Sequence, residues 1–234
     1  MGADLIRLGR QVRVIVGGAQ EISWQSICSF DGLGAFSKRT DDPERASRPF
    51  DRDRDGLVPS GGAAALLLEE RGFALARGAP ILGEILGYGF SSDGEHISVP
   101  SREGLSRAMD MAIGSAGLKP GDIDHISAHA TSTPAGDAAE AANIKRVFGA
   151  KTPPISAIKG MTGHELWMSG ASQAVYETLM ARGGFIAKSL NFEKPDADTE
   201  GLDIVDGTLA RGPRLALLNS AGFGGTNAAL VLGF

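Results

Sequence analysis

The sequence holds one cysteine in 234 residues, Cys28. A lone thiol closes no disulfide within the chain, so a reducing compartment fits and a cytoplasmic protein is expected. Long hydrophobic runs are lacking too. No apolar stretch reaches the ~18 residues that a membrane span requires. The opening "MGADLIRLGRQVRVIVGG" has no basic segment followed by a long apolar one, so no secretory leader is expected. Positive charge is not in excess: 23 Lys and Arg stand against 28 Asp and Glu, a net charge of −5. That balance argues against a protein that grips nucleic acid by its phosphates. No Cys and His set has zinc spacing. No G-x-G-x-x-G opens a helix and no Gly-Lys-Ser/Thr is present, so a phosphate cradle is not indicated.

The 42% apolar and 22% charged residues are ordinary for a soluble globular protein, with length for one large domain or two small ones. Glycine is abundant: 33 residues, about twice the usual ~7%, clustered between apolar runs as tight turns would be. Val12–Val16 reads as a short buried strand, and Ala63–Leu68 and Ile81–Tyr88 as strands joined by a basic-flanked turn. The charged, proline-bearing stretch from Ser37 to Arg54 reads as an exposed loop. In "SREGLSRAMDMAIGSAGLKPGDID", Leu105, Ala108, Met109, Ala112, Ile113 and Ala116 recur at helical spacing. Ser101 can cap that helix, and Gly117 and Pro120 end it. "HISAHA" is a short strand, followed by a helix from about Asp137 to Val147. "PPISAIKG" is another strand, with a Gly-, Ala- and Ser-rich helix from His164 to about Ala181. "RLALLNSAGFGGTNAALVLGF" reads as a hairpin around a glycine-rich turn. Strands alternating with helices indicate a layered α/β fold.

Four histidines are present. His96 lies in a polar loop and His125 at a strand entrance, where surface or hydrogen-bonded roles are expected. His129 and His164 each follow a predicted buried strand. His129 opens "ATSTPAGD", and His164 sits in "KGMTGHE" with Gly160 and Gly163 permitting close backbone approach. Ligands in open α/β folds gather at such strand ends, so the two are candidates for one shared site. The rival account is two unrelated strand-end histidines. Paired imidazoles suit acyl chemistry: two ring N–H donors can stabilise an oxyanion, or one ring can act as a general base. Lys159 can hold local charge. Thr131 and Thr133, two apart, can point the same way and bond an amide-bearing arm. Phe223 reads as an aromatic flap on a flexible turn.

"HATSTPAGD", "SAIKGMTGHE" and "NSAGFGGTNA", in that order, together resemble the elongating β-ketoacyl-acyl-carrier-protein synthases of the thiolase-like superfamily. "CSFDGLGAFS", "ASRPFDRDRDGLVPSGGAAALLLEE" and "GFIAKSLNFEKPD" are similar to that family's connecting segments, so the resemblance covers essentially the whole chain. It implies a duplicated αβαβα layered fold. Residues 1–75 would be the tail of the N-terminal half and 76–234 the C-terminal half. It also implies fatty-acid synthesis by decarboxylative condensation of an acyl thioester with malonyl-carrier protein. By resemblance, His129 and His164 match the family's two histidines and Lys159 its lysine. Thr131 and Thr133 match the threonines that contact phosphopantetheine, and Phe223, followed by Gly224, matches the gating phenylalanine. No cofactor is implied beyond the phosphopantetheine carried by acyl carrier protein, the expected partner. A homodimer, or a complementary N-terminal chain, is implied as well.

Three departures stand out. The family's nucleophilic cysteine would fall shortly before Met1, and Cys28 matches a position well downstream, so Cys28 is not expected to be catalytic. Ala130 stands where the family usually has glycine. Gln173 stands where a buried glutamate is expected, which removes a charge that would pair with the lysine. The chain alone is therefore expected not to condense. The alternatives are an incomplete subunit or fragment that needs a partner chain, and malonyl decarboxylation by the histidines alone. Half of a duplicated fold would also leave an inner face bare.

Overall fold

The computed structural model describes every residue, 1–234. Helix α1 (Gly2–Arg7), strand β1 (Arg13–Gln20), helix α2 (Trp24–Gly32), strand β2 (Gly62–Glu69) and helix α3 (Arg71–Ala76) come first. Strand β3 (Glu84–Ser92), helix α4 (Gly104–Ser115), strand β4 (His125–Ser127) and helix α5 (Pro134–Phe148) follow. The chain ends with β5 (Ile155–Ser156), α6 (Lys159–Thr162), α7 (Ser169–Gly183), β6 (Leu215–Gly222) and β7 (Thr226–Gly233).

Two sheets result. β1 and β2 form an antiparallel pair, and five strands form a mixed sheet in the order β3-β7-β6-β4-β5. Within it β4 runs parallel to both β5 and β6, while β7 is antiparallel to β3 and β6. The alternation along β6 and β7 sorts side chains to two faces. Leu217 and Val231 join the larger core with Leu105, Met109, Ile144 and other residues of α4 and α5. Ala216, Leu218 and Leu232 instead meet Ala174 of α7, with Leu66 of β2 packed against them. The layers are therefore the two-stranded sheet, α7, the five-stranded sheet, and α4 with α5, a thiolase-like α/β arrangement. Glycine makes the α4 contact close: a Cβ on Gly87 or Gly89 would fall 2.0 or 1.9 Å from the Ala112 and Ala108 carbonyl oxygens.

The helical periodicity over residues 105–116 is realised in α4, with Ser101 Oγ accepting from the Glu103 and Gly104 amides at 3.0 and 3.2 Å. The C-terminal hairpin also forms where its apolar runs and glycines place it.

Several expectations need correction. The strand expected to be buried at Val12–Val16 forms as β1, but none of its residues is buried, because its outer side faces solvent. The stretch from Ser37 to Arg54 is not exposed throughout; Ala46 through Asp51, and Arg54, are buried, while Arg52 and Asp53 stay exposed. Its charges are matched inside: Arg48 Nε meets Asp51 Oδ1 at 2.8 Å and Arg54 meets Asp196 at 2.6 Å. The turn after β2 is the short helix α3, capped by the Glu70 carboxylate on the Gly72 and Phe73 amides. The following strand starts at Glu84, since Ile81 and Leu82 remain exposed. The helix expected from His164 starts at Ser169, because Leu166 takes φ 50°, outside the helical region, and Leu166–Met168 form a separate 3-10 turn.

Candidate functional site

The three parallel strands β4, β5 and β6 end on the same side of the sheet, and each delivers a motif there. His129 leaves β4, Lys159 and His164 follow β5, and Phe223 sits at the tip of the β6–β7 hairpin. Topology thus brings together the segments that the sequence holds apart.

His129 and His164 meet edge to face, with ring centroids 5.6 Å apart and planes at 85°. The proton on His164 has a defined place. Its Nδ1 accepts the Leu166 backbone N–H at 3.2 Å, so the neutral ring carries its hydrogen on Nε2. Burial, then the Lys159 charge, pulls His164 down to about 3. Burial likewise holds His129 well below the usual histidine range, with Lys159 and then His164 adding to the effect. Both rings are neutral at physiological pH.

Lys159 is buried, and its ammonium donates to the His129 carbonyl oxygen at 2.6 Å. Burial draws it down to about 8, against the upward pull of Glu140, then Glu165, then Asp137. Gly160 permits this packing, since a Cβ there would lie 2.5 Å from the Leu190 carbonyl oxygen.

The "HATSTPAGD" loop is held by two carboxylates of α5. Glu140 accepts from the His129 and Ala130 amides at 2.9 and 2.6 Å and from Asn219 Nδ2 at 3.1 Å. Asp137 accepts from the amides of Thr131, Ser132 and Phe50 at 2.9, 3.1 and 2.7 Å. Burial still pushes Asp137 up to about 7. Thr131 and Thr133 turn the same way, with hydroxyl oxygens 3.0 Å apart. Ala130 fits within the main core, so its methyl group is accommodated. Gln173 is buried, with Nε2 donating to the Ala128 carbonyl at 3.0 Å; it retains hydrogen bonding without charge.

Phe223 is half exposed, and its ring lies against Phe30 of α2 with centroids 5.6 Å apart. Gly224 next to it has φ 85°, a turn conformation that glycine tolerates, and its amide donates to the Ile97 carbonyl. Cys28 is exposed on α2. His125 is fully buried and bonded to Glu177 at 3.0 Å, apart from the imidazole pair. No group of three or more His, Cys, Asp or Glu is placed to hold a metal ion, and no helix is long and apolar enough to cross a membrane.

Sequence reasoning did not single out Glu140, Asp137, Asn219 or Glu165. Asp137 and Glu140 lie three apart on the first turns of α5, one helical face that the pattern alone could have aimed at the loop. Asn219 gave no comparable signal.

Comparison with known proteins agrees across the chain. Residues 1–74 match the family model for the beta-ketoacyl synthase N-terminal domain, and residues 82–193 that for the C-terminal domain. The 3-oxoacyl-[acyl-carrier-protein] synthase 1 of Escherichia coli is 48% identical over 230 residues, covering 98% of this chain and 56% of that protein. The chain thus spans little more than half the length of such relatives. A beta-ketoacyl synthase from Burkholderia phymatum superposes with a TM-score of 0.96 at 39% identity, covering 99% of this chain and 57% of the other. A type II PKS ketosynthase, solved in complex with its acyl-carrier protein and bound to the hexaketide, superposes at 0.95 with 32% identity over 99% of this chain and 58% of its own.

Proposed function

Because the chain belongs to the β-ketoacyl synthase family, we infer that its two imidazoles act on malonyl-acyl-carrier protein in the decarboxylative condensation of fatty acid biosynthesis. The observation that supports this most is the edge-to-face histidine pair with the His164 proton held on Nε2. Two neutral N–H donors aimed at one thioester oxygen stabilise negative charge as it develops. When the malonyl carboxylate leaves as CO2, the electron pair of the broken C–C bond passes into the thioester enolate, and its oxygen needs such donors. The carbanion carbon then attacks an acyl thioester carbonyl and displaces its thiolate, forming the new C–C bond.

Lys159 has a positioning role here, since its ammonium fixes the His129 carbonyl and its charge favours neutral rings. Thr131 and Thr133 line the path of the phosphopantetheine arm, and Phe223 with Gly224 forms a movable rim. Acyl carrier protein is the partner. Cys28, exposed on α2, is not the acyl acceptor in this reading. The 234-residue chain alone decarboxylates malonyl-carrier protein but does not condense. Condensation needs a nucleophile from a complementary N-terminal segment or chain, a reading favoured by the bare outer face of β1 and β2, where Ile15 and Leu67 stand exposed.

The test is incubation with malonyl- and acyl-carrier protein. Release of CO2 that falls at least ~100-fold in His129→Ala and in His164→Ala supports the reading. β-Ketoacyl product from the chain alone, abolished by Cys28→Ala, overturns the assignment of the nucleophile. Release of CO2 that is indifferent to both histidines overturns the oxyanion role.

A further inference from the structure

Glu165 directly follows His164, yet its side chain turns inward and is buried. One carboxylate oxygen accepts the Ser172 hydroxyl and the other accepts the Tyr176 phenol at 2.7 Å. Both donors belong to α7, so this carboxylate ties the histidine loop to that helix. Between the two anchor points the chain passes Leu166 with φ 50°, a conformation that non-glycine residues hold only when the surroundings impose it. The Leu166 amide is the group that bonds His164 Nδ1.

The charges around Lys159 come from few places. Asp137 and Glu140 face it from α5, Glu165 from the His164 loop, and the two imidazoles stand beside it. Burial pushes Asp137 up to about 7, and its oxygens already serve the Thr131, Ser132 and Phe50 amides. Glu140 is raised by burial and already serves three donors. From α7, Gln173 brings an amide and no charge, and Glu177 is engaged with His125.

We propose that Glu165 is a positioning residue of this site: its buried carboxylate fastens the His164 loop to α7 and adds to Glu140 as counter-charge for the Lys159 ammonium. Without that charge, Lys159 gives up its proton more readily and the His129 carbonyl loses its charged donor. Without the two bonds, the Leu166 amide is no longer aimed and the His164 tautomer is free to exchange. The proposal deepens the function inferred above and rests on His164 presenting Nε2–H in that chemistry.

The experiment follows the Lys159 Cε shift and the His164 ring nitrogens by NMR against pH, with no substrate present. In Glu165→Gln, the Lys159 midpoint is expected to fall by ~1 pH unit, as loss of a neighbouring opposite charge requires. The His164 nitrogens should then move from the fixed Nε2–H pattern toward averaged values. Tyr176→Phe, which removes one bond but keeps the charge, should leave the Lys159 midpoint in place. A folded Glu165→Gln with an unchanged Lys159 midpoint overturns the proposal. Should this variant fail to fold, Ser172→Ala with Tyr176→Phe decides: the carboxylate stays while both α7 donors go, so the Lys159 midpoint should hold and the His164 nitrogens should average, and nitrogens that keep the fixed Nε2–H pattern overturn the proposal. Loss of the malonyl decarboxylation reading with these shifts intact would be a failure of the function alone.

Discussion

Glu140 satisfies three donors at once: the His129 and Ala130 amides and the Asn219 side chain. Replacing it with alanine strands two buried backbone N–H groups, each costing roughly 1–3 kcal/mol. Glu140→Ala should therefore lose about 3 kcal/mol of stability in urea unfolding, while Glu140→Gln, which keeps one acceptor oxygen, should lose clearly less. Equal losses in the two variants would contradict this account. His164 carries a pH consequence. Its folded pKa of about 3 lies below its unfolded value near 6.5, so the unfolded chain binds the proton first as pH falls. The neutral ring's contribution is full above the unfolded value and is lost as pH falls through the window down to about 3. Between pH 6.5 and 5 the wild type should lose about 1–2 kcal/mol more than His164→Gln, measured as urea midpoints at each pH. At this scale the histidines, lysine and threonines were legible because their motifs are local and sit at strand ends. The carboxylates that hold them were not. Glu140 acts on a loop ten residues back, and Glu165 looks like a solvated charge until its two α7 donors are seen.

α7 is joined to β4 through His125 and Glu177, both fully buried and bonded at 3.0 Å. The remaining ring nitrogen of His125 and the second oxygen of Glu177 have no partner. Removing one member leaves its buried partner without a hydrogen bond, which costs about 1–3 kcal/mol. Replacing both with leucine removes the unsatisfied atoms as well. His125→Ala should thus be destabilising, and His125→Leu/Glu177→Leu should fall close to wild type in thermal unfolding; additive losses would sink the argument. Elements with a strong local pattern were legible in the sequence. α4 shows five buried apolar positions at helical spacing, and the C-terminal hairpin has two apolar runs around glycines. The segment from Ala46 to Arg54 was not, because its charges find partners far along the chain. Ser47 bonds the Lys159 carbonyl, 112 positions on, and Arg54 bonds Asp196, 142 positions on. Local composition reads such charges as solvated, and only the fold shows them paired.

For the molecule as a whole, surface area is the informative quantity. The accessible surface is 11590 Å², whereas a compact monomer of this mass should expose roughly 10,000 Å². The exposure is marked at the first elements of the chain. No residue of α1, β1 or α2 is buried, and along β1 and β2 the outward positions alternate with half-buried ones. The inward face meets α1 and α7; the outward face presents Ile15, Gly17, Ala19, Ala63, Ala65 and Leu67. Ile15 is 78% exposed and Leu67 53%, as paired neighbours across the two strands. About 1,000 Å² of such surface corresponds to a nominal ~25 kcal/mol of burial at ~25 cal/mol/Å², an upper figure. Association costs roughly 4–15 kcal/mol, so only the surplus of such a face shows as affinity. The 234-residue chain should therefore self-associate in solution. Light scattering after size exclusion should show mass rising with concentration in the micromolar range. A lysine at each of the two central positions, Ile15→Lys with Leu67→Lys, adds charge to the bare face without touching the histidine site and should shift the chain toward monomer. A wild-type chain that elutes as a folded monomer at every concentration would mean that this face is stable in water, and the argument from its area would fail.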